Sequence, residues 1–146
     1  MEKIIIMCLI ATLLIPVSAQ KNMDQKKEKD NCCSEKNSIV LLWTSQDPEV
    51  FLKVVYPYAL NSKKHNLWEN VELLIWGPST RLLSKNKELQ DKVVELKEKG
   101  VVLTSCKWCA EQYGVSGRLE KMGVKVKYMG KPLTNYIKSG REVLVF

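Results

Sequence analysis

Residues 100–114 read GVVLTSCKWCAEQYG. Val101 to Thr104 form a short, continuous, β-branched apolar run after Gly100. Such a run suits a strand covered on both faces. From about Lys107 the pattern turns helical and pauses at Gly114. A strand that runs straight into a helix is half of a β-α unit. Cys106 and Cys109 stand three apart at that junction.

The same unit recurs on either side. Upstream, Val71 to Trp76 is a second continuous apolar run, stopped by Gly77-Pro78. Ser79 or Thr80 is expected to cap the helix that follows, whose Leu82, Leu89, Val93 and Leu96 keep helical spacing until Gly100. Further upstream, Ser38 to Trp43 is a first buried strand. Asp47-Pro48 supplies an N-cap and a first-turn proline for a helix carrying Val50, Val54 and Tyr58. Pro57 should kink or interrupt that helix. Downstream, a helix resumes after Ser116 and stops at Gly123. Val124–Met129 is a fourth, partly polar strand, Pro132–Ser139 a short helix and Val143–Phe146 a fifth strand.

Strict β-α alternation with short loops predicts an α/β three-layer sandwich with a five-stranded parallel sheet. The order 2-1-3-4-5 is the expected arrangement for this count. Sites in such sheets form beyond the carboxyl ends of the strands, where strand order reverses. In that order the reversal falls between Trp43-Thr44-Ser45 and Ser105-Cys106.

The chain has 146 residues, and they divide into three parts. Residues 1–19 combine Lys3, an apolar run from Ile4 to Val17, and small residues before Gln20. That is the layout of a cleavable signal peptide. The run is shorter than the roughly 20 residues of a bilayer span. The mature protein is therefore expected in a bacterial periplasm or secreted, without a stable membrane span. Residues 20–37 are polar and mixed in charge, the composition of a flexible tether. Residues 38–146 are long enough for one domain.

The net charge is +7. The lysines are scattered along the domain rather than clustered with aromatic platforms, so nucleic-acid binding is not expected. Attraction to an anionic small molecule stays open.

Cys106 lies where free backbone amides and the helix dipole favour an anion, and Lys107 adds positive charge beside it. A thiolate is such an anion. Cys109, one helical turn on, lies on roughly the same face and is placed to resolve a mixed disulfide or accept sulfur. A zinc site needs two more ligands, and the domain offers only His65 besides these thiols. No metal or other cofactor is expected. A small structural disulfide and two inert buried thiols are the plainer alternatives. Trp43, Trp76, Trp108 and Met129 are candidate walls of a small pocket, with Ser45, Ser105 and Lys107 as anion-binding neighbours. Gly77 and Gly130 allow close backbone approach to a ligand. Cys32 and Cys33 sit in the tether as an interchain link, a thiol donor or incidental thiols.

Four segments carry a family resemblance. They are LLWTSQDPEV (41–50), ELLIWGPSTRLL (72–83), GVVLTSCKWCAEQYGV (100–115) and VKYMGKPLTNYIKSGREVLVF (126–146). Over residues 38–146 the chain resembles the DsrE/DsrF-like family, in particular its exported branch with C-x-x-C. The resemblance implies a five-stranded α/β sandwich and assembly into trimers or hexamers. It also implies a sulfane sulfur carried as a persulfide at the position of Cys106. Cys109 is not part of the sulfur-relay pattern. Three functions are thus expected in turn. The first is sulfur handling with a protein or polysulfide as donor or acceptor. The others are dithiol–disulfide redox exchange through Cys106 and Cys109, and non-catalytic binding of a small ligand or anion.

Overall fold

The computed structural model describes residues 37–146. The expectations placed on the signal peptide, on the tether up to residue 36 and on Cys32 and Cys33 lie outside the described residues.

The order of elements is alternating throughout. Strand β1 (Ser38–Trp43) leads into α1 (Pro48–Val50), a π-helical turn (Phe51–Val55) and α2 (Tyr56–Lys64). Then come β2 (Asn70–Ile75), α3 (Pro78–Lys85), α4 (Lys87–Glu98) and β3 (Val102–Cys106). The chain closes with α5 (Lys107–Gln112), α6 (Ser116–Lys121), β4 (Lys125–Lys127), α7 (Gly130–Lys138) and β5 (Glu142–Val145).

Two helices differ from the sequence expectation, each for a local reason. Pro57 does not break the first helix. It falls in the first turn of α2, directly after the π turn. Proline has no N–H to donate, and the wider π turn accommodates its ring without ending the helix. The second helix, read as continuous, is divided at Asn86. That residue ends α3 in an extended conformation, and its Oδ1 accepts from the Leu89 N–H at 3.2 Å, restarting the helix as α4. Neither Ser79 nor Thr80 caps α3. Ser79 Oγ instead donates to the Trp43 carbonyl at 2.6 Å, tying α3 to the end of β1.

All five strands are parallel, with helices on both faces. Their order is β4-β3-β2-β1-β5, in place of 2-1-3-4-5. From β1 to β4 each strand is laid beside the last in one direction. Right-handed crossovers then stack α1 to α6 on one face. Only the step from β4 to β5 runs back across the sheet, and it sends α7 to the opposite face. Alternation in sequence fixes neither the direction of each step nor the strand at which it reverses.

The two faces differ accordingly. The first packs Ile39, Leu41, Trp43, Val71, Leu73, Ile75 and Leu103 against Phe51, Val55, Leu83, Leu89, Val93, Leu96 and Leu119. Each such side chain contributes roughly 1.5–3 kcal/mol on burial. The second is smaller: Val40, Leu74, Cys106, Cys109 and Met129, with Leu42, Trp76, Leu133, Tyr136 and Val143 around them. Helix α7 covers it without burying any residue completely.

The reversal therefore falls between β1 and β5, and it is closed. The Thr44 N–H and hydroxyl both donate to the Phe146 carbonyl at 2.7 Å, and the Ser45 N–H does so at 3.2 Å. Strand β2 stands between β1 and β3, so the loop after Trp43 and the end of β3 do not share a crevice. Among the described residues no helix is long and apolar enough to cross a membrane.

Candidate functional site

Successive residues of a strand point to opposite faces. Thr104 and Cys106 therefore look toward α7, and Ser105 looks toward the larger core, where it is fully buried. The strand ends at Cys106, which has extended geometry and serves as N-cap residue of α5. One turn later Cys109 comes back beside it. Both thiols are free, and each is only 4% exposed.

Gly77 completes the arrangement from the neighbouring strand end. Its N–H donates to Cys109 Sγ at 3.3 Å. The backbone there has φ 69° and ψ −132°, a conformation that side chains disfavour and glycine adopts freely. Burial is the main force on Cys109 and pushes its thiol up from the ordinary value. The Gly77 amide opposes that shift, while the adjoining Cys106 thiol adds to it. Met129, fully buried, closes the cluster from the start of α7, and Trp76 is half-buried against it.

Cys106, Cys109, Gly77, Met129 and Trp76 thus come together. The other sequence candidates lie elsewhere. Trp43 is buried in the larger core, its ring 4.4 Å from that of Phe51. Ser45 Oγ accepts from the Asp47 N–H at 3.1 Å and serves the turn into α1. The Lys107 ammonium turns outward, 3.7 Å from Glu111 and 5.2 Å from the Tyr128 ring centre. Trp108 is 60% exposed. Gly130 is an exposed residue that opens α7.

A second group on this face escaped the sequence reading. Glu72 is buried on β2 and pairs with Arg141 at 3.1 Å. Thr104 donates to Glu72 Oε1 at 2.6 Å. The Arg141 guanidinium lies 4.4 Å from the Tyr136 ring centre. Burial, and then the Glu72 carboxylate, raise the Tyr136 phenol above its usual value, with Arg141 opposing. The available signal was Glu72 itself, an acid inside the run VELLI, since a buried charge needs a partner. Nothing local identified Arg141 as that partner.

Two surface cavities lie away from the thiols. One, of about 470 Å³, is lined by Leu60, Lys63, Lys64, Glu95 and Lys99. The other, of about 270 Å³, is lined by Gln46, Pro78, Arg81, Leu82 and Lys85.

Fold and site together define a class: a parallel α/β sandwich with a free dithiol at the strand-to-helix junction after β3. A solved structure of a conserved protein of unknown function from Bacteroides thetaiotaomicron, BT1422, is 31% identical. The match covers 77% of this chain and 97% of that one, with a TM-score of 0.75. The chain belongs to the same family as that Bacteroides protein. The ychN protein from E. coli shares the fold, with a TM-score of 0.59 at 15% identity over 75% of this chain and 97% of that one. No family model matches the sequence, and no curated protein does.

Proposed function

We propose that the protein handles sulfane sulfur through Cys106, as an exported member of the DsrE/DsrF-like family. The observation that carries this reading is the pairing of two free thiols at the end of β3. The likeness in fold to ychN is compatible with it. The Cys106 thiolate attacks the terminal sulfur of a polysulfide. The donor's S–S bond breaks, the shortened polysulfide leaves with the electron pair, and Cys106 holds a persulfide. The Cys109 thiolate then attacks Cys106 Sγ, expelling hydrosulfide and leaving a Cys106–Cys109 disulfide. In that second step the two cysteines are oxidised, the sulfane sulfur is reduced, and an external dithiol resets the pair. With each thiol only 4% exposed, a small polysulfide suits the approach better than a folded donor surface.

A dithiol–disulfide exchange protein is the second reading, favoured by the same proximity of Cys109 to Cys106. Cyanide-labile sulfur separates the two. After polysulfide treatment and desalting, Cys109→Ser is expected to release labile sulfur to cyanide and Cys106→Ser is not, while wild type releases hydrosulfide during the treatment and ends as the Cys106–Cys109 disulfide. Redox cycling without labile sulfur in any form would favour dithiol exchange. Exposed Trp108, Tyr128, Ile137 and Val145 support assembly into a homo-oligomer, a trimer or hexamer. Sedimentation velocity checks this, and a monomer at micromolar concentration would contradict it.

A further inference from the structure

A third sulfur-bearing side chain belongs to the same buried cluster as the thiol pair. Met129 is fully buried in the same cluster as Cys106 and Cys109, held there by Val40 and Leu74. A methionine in an apolar cluster ordinarily fills space. This one closes a small group made of two thiols and a thioether, all soft donors. No cluster of three or more His, Cys, Asp or Glu side chains among the described residues is placed to hold a metal. A tetrahedral zinc centre, which needs four nitrogen, oxygen or thiolate ligands, is therefore not built here. Soft thiolate and thioether ligands instead select Cu(I).

We infer that Cys106, Cys109 and Met129 form a binding site for one Cu(I) ion. The inference goes beyond sulfur transfer and does not depend on it. Binding displaces a proton from each thiol and forms two Cu–S(thiolate) bonds, with the Met129 thioether as third donor. No electron is transferred. The monovalent cation offsets the repulsion of two adjacent thiolates in a site that burial makes hostile to charge. The Gly77 N–H, already on Cys109 Sγ at 3.3 Å, supplies the hydrogen bond that orients a metal-bound thiolate. The surrounding Val40, Leu74 and Leu133 keep water from the ion.

The test uses the full chain with Cys8, Cys32 and Cys33 replaced by Ser, so that the pair provides the only thiols. Reduced, sulfide-free protein is titrated anaerobically with Cu(I) against a chromophoric Cu(I) chelator. One ion per chain is expected, with both thiols protected from alkylation while it is bound. Cys106→Ser and Cys109→Ser should each abolish retention. Met129→Leu preserves volume and should weaken binding roughly ten-fold or more. X-ray absorption of the Cu(I) form, which needs no variant at residue 129, should show three sulfur neighbours. The inference is overturned if Cu(I) is not retained, if either serine variant retains it equally, if only two sulfurs are seen, or if Zn(II) displaces it. Labile sulfur is assayed separately on metal-free protein, so failure of persulfide chemistry leaves the Cu(I) result standing, and the reverse.

Discussion

Gly77 and Glu72 are the residues on which the thiol face depends most directly. Gly77 holds φ 69° and ψ −132° while donating to Cys109. A Cβ added there meets nothing within 4 Å, so Gly77→Ala costs backbone strain rather than a clash. The expected loss is about 1–3 kcal/mol in urea unfolding, accompanied by faster alkylation of Cys109 as the amide moves off its sulfur. Unchanged stability and alkylation would contradict this. Glu72 is matched by one buried guanidinium. Glu72→Gln leaves Arg141 without its counter-charge, and a buried pair broken on one side costs about 3–5 kcal/mol. Replacing both residues with apolar side chains of similar volume should recover much of that loss, which a double-mutant cycle measures.

At the scale of elements, α7 is the cover over the thiols and the least buried of the longer helices. It contacts the second face through Met129, Leu133 and Tyr136 and through the Glu72–Arg141 pair just beyond its end. Native-state hydrogen exchange should therefore show α7 opening at lower free energy than β1, β2 and β3. Equal protection throughout would mean that the thiols are reached only by global unfolding. The Tyr136 phenol gives a pH signature of the same packing. Its folded value is raised, so the folded protein keeps a proton that the unfolded chain loses near pH about 10. Its stabilisation is complete below that pH and is lost as pH rises through the folded value. Tyr136→Phe should flatten that part of the alkaline fall in urea midpoint.

The elements also show what the sequence could reveal. The strand runs at Ser38–Trp43, Val71–Trp76 and Val101–Thr104 were legible because continuous apolar residues mark buried parallel strands. The two-residue period also carried an unused signal: it sets Ser105 opposite Cys106, and Trp43 opposite Leu42. The split at Asn86 was a capping signal inside a helical pattern. The strand order and the Glu72–Arg141 pair were not legible, because both depend on the strand after which the chain turns back across the sheet, which is β4 and not β2. That choice is made by tertiary packing across most of the domain.

For the whole molecule, one large core fixes the sheet and leaves the second face thinly covered, and that face holds the dithiol. Fold and thiol site are thus separable, and the thiols can change without loss of the main core. Cys106→Ser and Cys109→Ser should accordingly keep cooperative unfolding within about 1–2 kcal/mol of wild type. The most direct test of sulfur handling is intact mass and peptide mapping of the reduced full chain after a short polysulfide pulse. The account predicts that Cys109→Ser gains one sulfur atom, mapped to Cys106 and absent in Cys106→Ser, while wild type gains it only transiently and goes on to the Cys106–Cys109 disulfide. No gain on folded Cys109→Ser, or a gain confined to Cys32 and Cys33, would contradict it.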